Sequence, residues 1–224
     1  MDYGKAFNYF TEDASWVNKF LIGALLGIIP IVNFFVSGYM LRIIDAMPED
    51  KTLPEWDDWG ILFRNGAFLF LAFLVYSIPM IIVGAIALAF LIPVIIAADK
   101  NAPVQTAFII IPVIAGLFIL AYALVLSIIS PAIVLTFNKN KSAKEALQVG
   151  EIFRITKEHF KEVIIIVLVL WGVSLAIGAL AGFPLLGFLI GIAGGFYSRL
   201  ITGHLYGQLK EIIFPSIEAA AFEQ

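Results

Sequence analysis

The sequence predicts an all-α fold, a polytopic bundle of transmembrane helices. Of its 224 residues, 61% are hydrophobic and 14% are charged, whereas about a quarter of the residues of a soluble domain are charged. Three blocks, 65–98, 101–138 and 163–198, contain no charged side chain. Each block is long enough to cross a bilayer, because a spanning helix needs about 20 apolar residues. The alternating polarity of a membrane β-barrel is absent from the sequence.

The apolar runs predict about five membrane segments, at residues 16–47, 66–98, 104–137, 163–181 and 185–214. The second and third segments are too long for one untilted span, and two prolines in each indicate kinks or extensions into the interface. The first segment contains Gly27-Ile28-Ile29-Pro30 near its middle. Since proline removes a helical hydrogen bond, this segment is either one kinked span or a re-entrant hairpin.

Two charged connections resemble each other at an offset of 90 residues. Residues 52–64 precede the second segment and residues 142–154 precede the fourth, with four identical and two conservative positions in thirteen. Each begins with the Thr/Ser-x-x-Glu spacing of a capping box. We therefore predict a single membrane domain over residues 1–224 with a possible internal duplication, about 20–98 and 110–182, and a C-terminal helix at 185–214.

Both connections have features of amphipathic helices that lie in the membrane surface. In the second connection, charged residues follow helical spacing on one face and small or apolar residues follow it on another. Tryptophan favours the headgroup level of a bilayer. We predict that Trp56, Trp59, Phe63 and Phe153 are interfacial anchors; the alternative is that the connections are solvated loops.

Basic residues concentrate in and around these two connections. They are Arg42, Lys51, Arg64, Lys139, Lys141, Lys144, Arg154, Lys157 and Lys161. The positive-inside rule places the connections, and thus two interfacial helices, on the cytoplasmic side of a multi-pass cell-membrane protein. The N-terminus lies outside if the first segment crosses the bilayer and inside if that segment is re-entrant.

Few ionisable residues fall inside the predicted segments, and such residues are candidates for function because a charge inside a membrane is costly. Guanidinium groups bind phosphate through paired N–H donors. The candidates for lipid-headgroup binding or for salt bridges are Arg42, Asp45, Arg64, Arg154 and Arg199. The structural alternative is that Arg42 pairs with Asp45 one turn later and that Arg199 extends to water.

The sequence contains no pattern that indicates catalysis or metal binding. The chain has no cysteine, and its two histidines, His159 and His204, lie in different segments without a carboxylate at metal-ligand spacing. No motif of nucleophilic catalysis occurs. We therefore predict no enzyme activity, no catalytic residue, no cofactor and no metal. The net charge of −3 does not indicate a nucleic-acid partner, so the predicted partner is the lipid bilayer, with unidentified protein partners.

Glycines recur at four-residue intervals in the last segment. Gly187, Gly191 and Gly195 share one helical face, and small residues on one face let membrane helices approach closely. We predict that these glycines pack against another helix, either within the chain or in a homo-oligomer.

Three stretches resemble a known family. They are the opening Met-Asp-Tyr-Gly-Lys-Ala-Phe, the stretch from Ile-Pro30-Ile-Val-Asn33-Phe to Arg42, and Leu53-Pro-Glu-Trp-Asp-Asp-Trp59-Gly. Together they resemble a prokaryotic family of membrane proteins catalogued as domain of unknown function 4013. The resemblance covers most of the chain, and it implies an archaeal or bacterial cell-membrane protein without an assigned activity.

Three functions are compatible with these features. The leading hypothesis is a non-enzymatic protein that organises the membrane, interacts with lipids or scaffolds partners through its surface helices. The alternative is a transporter or channel for small solutes or lipids, which a hydrated or lipid-filled cavity would favour. A further alternative is a membrane-anchor subunit of an enzyme complex.

Overall fold

The computed structural model describes residues 1–47, 52–100, 105–184 and 186–215, and all regular structure in these ranges is helical. The helices are α1 (Trp16–Gly27), α2 (Asn33–Ala46), α3 (Trp59–Asp99), α4 (Ala107–Asn140), α5 (Val149–Glu158), α6 (Phe160–Ala181) and α7 (Gly187–Ile213). The predicted all-α class is confirmed. Val104 and Leu185, the predicted first residues of the third and fifth segments, lie outside the described residues.

Three helices are long and apolar enough to cross a membrane: Trp59–Ala98 of α3, Phe108–Asn140 of α4 and Phe160–Ala181 of α6. Most of their apolar side chains face outward, as contact with lipid requires. They correspond to the second, third and fourth predicted segments. The other two segments do not qualify as spans, because the first is broken and α7 carries polar residues such as Arg199 and His204. The predicted count of five is therefore not confirmed.

The first segment forms a helical hairpin rather than one kinked helix. With 12 and 14 residues, α1 and α2 are about 18 and 21 Å long, too short for a core of about 30 Å. Lys19 in the first turn of α1 and Tyr39 in α2 both contact the connection before α3: Lys19 Nζ donates to Leu53 O at 2.7 Å and Tyr39 OH donates to Pro54 O at 2.7 Å. Arg42, one turn further along α2, donates to Glu55 O of the same connection, so the start of α1 and the second half of α2 lie together.

Helices α3 and α4 form a second antiparallel hairpin, and α6 and α7 form a third. The ends of α2, α4 and α7 meet at Asp45, whose carboxylate accepts hydrogen bonds from Asn138, Lys141 and Lys210. We call this end of the molecule the basal end. The N-terminus also packs close to it, since the Asp2 amide donates to Gln208 Oε1 at 2.6 Å.

Five helices form a closed ring in which each packs against the next: α2, α3, α4, α6 and α7. Tyr122 of α4 donates to the Tyr76 carbonyl of α3 at 2.9 Å, and Trp171 of α6 donates to Ser127 of α4 at 3.0 Å. In contrast to its long neighbours, α2 contributes only its 14 residues to the ring. The ring is therefore built from four long helices and one short one.

Glycines bring α2 into near backbone contact with both of its neighbours. A Cβ added at Gly38 would lie 2.0 Å from Leu62 O of α3, and one added at Gly66 would lie 1.9 Å from Phe34 O of α2. On the other side, a Cβ at Gly203 of α7 would lie 2.8 Å from Ile43. Because small residues permit such close approach, these glycines set the position of α2.

The connection before α3 clamps the α1–α2 hairpin. Lys19 forms ion pairs with Asp13 at 2.8 Å and Glu55 at 2.6 Å, and Arg42 pairs with Asp57 while donating to the Glu55 carbonyl at 2.8 Å. Burial by itself would raise the pKa of Asp13, but hydrogen bonds from Lys19 and Ser15 outweigh it and lower this pKa to about 2. The clamp therefore depends on an ionised Asp13.

The second connection differs from the first in shape. Residues 52–58 are irregular and lead directly into α3, whereas residues 149–158 form the short helix α5, which ends at His159 before α6 begins. The predicted capping boxes are wrong, because no side-chain cap occurs at the start of α3 or α5 and Glu55 pairs with Lys19. The internal duplication remains a prediction.

Replacement of Gly66 by alanine tests the packing of α2. We expect Gly66→Ala to destabilise the protein by about 1–3 kcal/mol, the usual cost of overpacking, because the new methyl group would collide with the Phe34 carbonyl. Gly116→Ala is the matched control, since no atom lies within 4 Å of its added Cβ. Thermal unfolding in detergent measures both variants, and equal melting temperatures would contradict the packing.

Acid should loosen the clamp. The pKa of Asp13 is lower in the folded protein than its ordinary value of 3.8, so its stabilising contribution is complete above that value and is lost as pH falls through about 2. We expect the melting temperature of the wild type to fall across this range more steeply than that of Asp13→Asn, which starts lower. Parallel pH profiles for the two proteins would contradict this role of Asp13.

Candidate ligand-binding cavity

A cavity of about 600 Å³ lies inside the ring of five helices and is lined by residues of all five. Its existence follows from the length of α2. Pro30 in the hairpin turn and Asn33 at the start of α2 both line the cavity, so the space lies where α2 stops while the longer helices continue. Ser174 and Phe70 line it and are exposed, which shows that the cavity is not sealed.

A second cavity of about 370 Å³ lies between α1, α2 and α7. Asn33 and Arg199 line both cavities. Many protein atoms surround the Arg199 side chain, but they do not pack against it. Its surface is therefore accessible from the two cavities. A ligand could therefore reach its guanidinium from either cavity.

Arg199 lies near the middle of α7, about 18 Å along the axis from Gly187 and about 17 Å from Lys210. Leu170 and Ser174, which line the same cavity, lie near the middle of the spanning helix α6. If α6 crosses a bilayer, Arg199 is close to the midplane. A charge at this depth is costly unless it is paired or solvated in a cavity.

No hydrogen bond or ion pair satisfies Arg199 within the ranges that the structure describes. The described lining of the two cavities contains no aspartate or glutamate. The site therefore has a single fixed positive charge, and a negatively charged group from outside the chain would neutralise it.

Three further polar side chains can donate to such a group. Asn33, Ser37 and Ser198 line the larger cavity, and within the described residues their side chains make no hydrogen bond. By contrast, the hydroxyls of Ser174 and Thr202 donate to carbonyls four residues earlier. The predicted site did not include Asn33, Ser37 or Ser198, because they lie on two helices far apart in the sequence. Only Asn33, a polar residue that follows Pro30 in an apolar segment, could have indicated a site.

The start of α2 adds a weaker attraction for negative charge. The positive end of a helix dipole lies at its N-terminus, and Asn33, Phe34 and Ser37 of α2 line the cavity. The first amides are already used, since those of Asn33, Phe34 and Phe35 donate to carbonyls of the hairpin turn. The helix therefore contributes its dipole and no free backbone donor.

The other predicted charged residues lie elsewhere and most are paired. The predicted alternative that Arg42 pairs with Asp45 is wrong, because Arg42 binds Asp57 in the connection before α3 while Asp45 binds Lys141 and Lys210. Arg42 and Asp45 both lie on α2, but each forms its ion pairs with residues of other parts of the chain.

Arg154 pairs with Glu151 at 2.6 Å and Glu158 at 2.7 Å on α5 itself. Arg64 is exposed in the first turns of α3, and no ion pair to it occurs in the part of the chain that the structure describes. Arg199 is thus the one predicted candidate that faces the cavities.

The predicted aromatic anchors divide into two groups. Trp56 is half-buried, stacks on Tyr39 with 3.9 Å between ring centroids and donates to the Lys19 carbonyl at 3.0 Å, so it packs the clamp. Phe63 is also half-buried, 5.1 Å from Phe35. Trp59 and Phe153 are 43% and 57% exposed, which leaves their role as interfacial anchors a prediction.

Among the three predicted packing glycines, only Gly187 makes a close approach within the chain. A Cβ added there would lie 1.9 Å from Ala181 O at the α6–α7 turn. Around Gly191 and Gly195 no atom of the described residues lies within 4 Å of an added Cβ, and both line the smaller cavity. These two glycines keep space open instead of packing against a helix of the same chain.

Comparison with known proteins gives one family and no individual relative. No curated protein and no solved structure matches the chain. The model of the family described as "Protein of unknown function (DUF4013)" matches residues 21–202, a range that includes Arg199, Asn33 and the three glycines. The resemblance seen in the sequence is confirmed, and the chain belongs to this family.

Proposed function

We propose that the protein is a non-enzymatic integral membrane protein that binds anionic amphiphiles, with Arg199 holding the anionic group. The observation that carries this proposal is Arg199 at the middle of α7, which has no hydrogen-bond or ion-pair partner among the described residues and faces a cavity lined by polar and apolar side chains. An anionic oxygen accepts charge-assisted hydrogen bonds from a guanidinium. Asn33, Ser37 and Ser198 supply further donors beside it.

The walls of the cavity favour an amphiphile over a small hydrophilic anion. Apolar side chains, among them Phe34, Phe70 and Phe73, line the same space as the polar groups. The exposed faces of α3 and α6 are apolar, and both helices are long enough to cross a membrane, which supports a site surrounded by lipid. A lipid could therefore place its headgroup at Arg199 while its hydrocarbon part remains in apolar contact.

Removal of the Arg199 charge is the direct test of anion binding. We expect Arg199→Gln to lower the affinity for anionic lipid by about 10–100-fold, because a hydrogen bond to a charged group contributes about 1.5–3 kcal/mol. Native mass spectrometry with phosphatidic acid and phosphatidylcholine measures retention of each lipid. Glycerol phosphate as a soluble competitor distinguishes a lipid headgroup from a free phosphate as the source of the anion.

Arg64→Gln is the matched control, since it removes an exposed arginine far from the cavities. We expect this variant to retain phosphatidic acid like the wild type. Equal retention by wild type and Arg199→Gln, or equal loss in both variants, would contradict the proposed role of Arg199.

Transport is a second candidate function, and the helical hairpin favours it. Short helices that end inside the membrane are a recurring feature of transporter binding sites, and α2 begins beside Arg199 in this chain. Movement of a fluorescent anionic lipid between leaflets of proteoliposomes tests transport, and an unchanged rate relative to protein-free vesicles would exclude it.

Four other interpretations remain predictions: a membrane-organising role of the surface helices, an anchor role, homo-oligomerisation and a cytoplasmic basal end.

A further inference from the structure

We infer that the ligand of Arg199 carries a linear hydrocarbon chain, and that the smaller cavity along α7 receives this chain. The inference rests on the proposed function, because it names the class of amphiphile that the same site accepts. In this arrangement the anionic head binds at Arg199 and the chain extends along α7 toward its N-terminal end.

The first observation is the register of the glycines. Gly187, Gly191, Gly195 and Arg199 follow one another at intervals of four residues, which places them on one face of α7. All four line the smaller cavity. The three glycines extend over about 12 Å, and Arg199 follows one turn later, about 18 Å from Gly187. The cavity therefore has an elongated uncharged wall that ends at an arginine with no partner among the described residues.

The second observation is the open space along this wall. An added Cβ at Gly191, Gly195 or Gly27 would have no atom of the described residues within 4 Å. The remaining described lining is mainly apolar, with Phe188, Ile192 and Phe196 on α7. Arg199 is the one charged residue in this lining, and a polar ligand would find few further partners along it.

The dimensions favour a hydrocarbon chain over a helix from a second copy. Gly23 and Gly27 of α1, with Asn33 and Val36 of α2, form the walls opposite α7, so the cavity is a slot between helices of the same chain. A helix with its side chains is about 10–12 Å wide, and a slot of about 370 Å³ between adjacent helices does not hold one. A helix from a second copy would also cover Arg199, and it would not by itself bring a negative charge to neutralise the guanidinium.

Alkyl phosphates of increasing chain length test the inference on the full-length protein in nanodiscs of a zwitterionic lipid, with empty nanodiscs as reference. For the wild type, affinity should rise by up to about fourfold per buried methylene group until the slot is filled. Gly191→Leu should keep the affinity for butyl phosphate and lose most of the gain with length, because its side chain occupies the slot. Gly195→Leu is a second variant; because it lies one turn from Arg199, it should end the gain in affinity at a shorter chain than Gly191→Leu does.

Gly116→Leu is the matched control, because Gly116 also has no atom near its added Cβ but lies on α4, away from both cavities. This variant should show the length dependence of the wild type. An unchanged length dependence in Gly191→Leu and Gly195→Leu, with binding still dependent on Arg199, would overturn the inference and leave the proposed function standing.

Two other outcomes also decide the question. If no alkyl phosphate binds in a manner that depends on Arg199, the proposed function itself fails. If Gly191→Leu changes the oligomer size in detergent while the length dependence stays the same, the slot is occupied by a second copy of the chain, and the inference is overturned.

Discussion

The close packing of α2 between α3 and α7 is the constraint on which the rest of the structure depends. Gly38 and Gly66 bring the backbones of α2 and α3 together, and Gly203 of α7 makes room for the Ile43 side chain of α2. Because α2 starts only at Asn33, this position in the ring is filled along part of its height. The two cavities occupy the space that a longer α2 would fill, and Arg199 is exposed to them for this reason.

The motif Leu53-Pro-Glu-Trp-Asp-Asp-Trp59 has a structural role. Residues 53–57 bind the start of α1 through Lys19 and the end of α2 through Arg42, and Trp56 stacks on Tyr39 between them. The Lys19–Asp13 pair of this clamp is buried on both sides, and a buried ion pair can position elements even where it adds little net stability. The clamp keeps the hairpin closed at the basal end, and the functional chemistry lies about half a helix away, at Arg199.

Local sequence patterns were sufficient for some of these features and insufficient for others. The uncharged blocks predicted α3, α4 and α6, since hydropathy alone determines which helices can span. Pro30 indicated the break, but the hairpin depends on contacts of Lys19 and Tyr39 with a connection far along the chain. For the same reason, Arg199 could be named from its position in an apolar segment, whereas Ser37 and the open space beside Gly191 could not.

Residues 16–47 turn back at Pro30, and the distance between two spin labels measures this turn. The chain has no cysteine, so Asn18→Cys and Ala46→Cys can be labelled together without a background signal. The account predicts a single short distance between the labels in nanodiscs, because the start of α1 and the end of α2 share one clamp. A distance of about 42 Å, the length of a continuous helix between these residues, would contradict it.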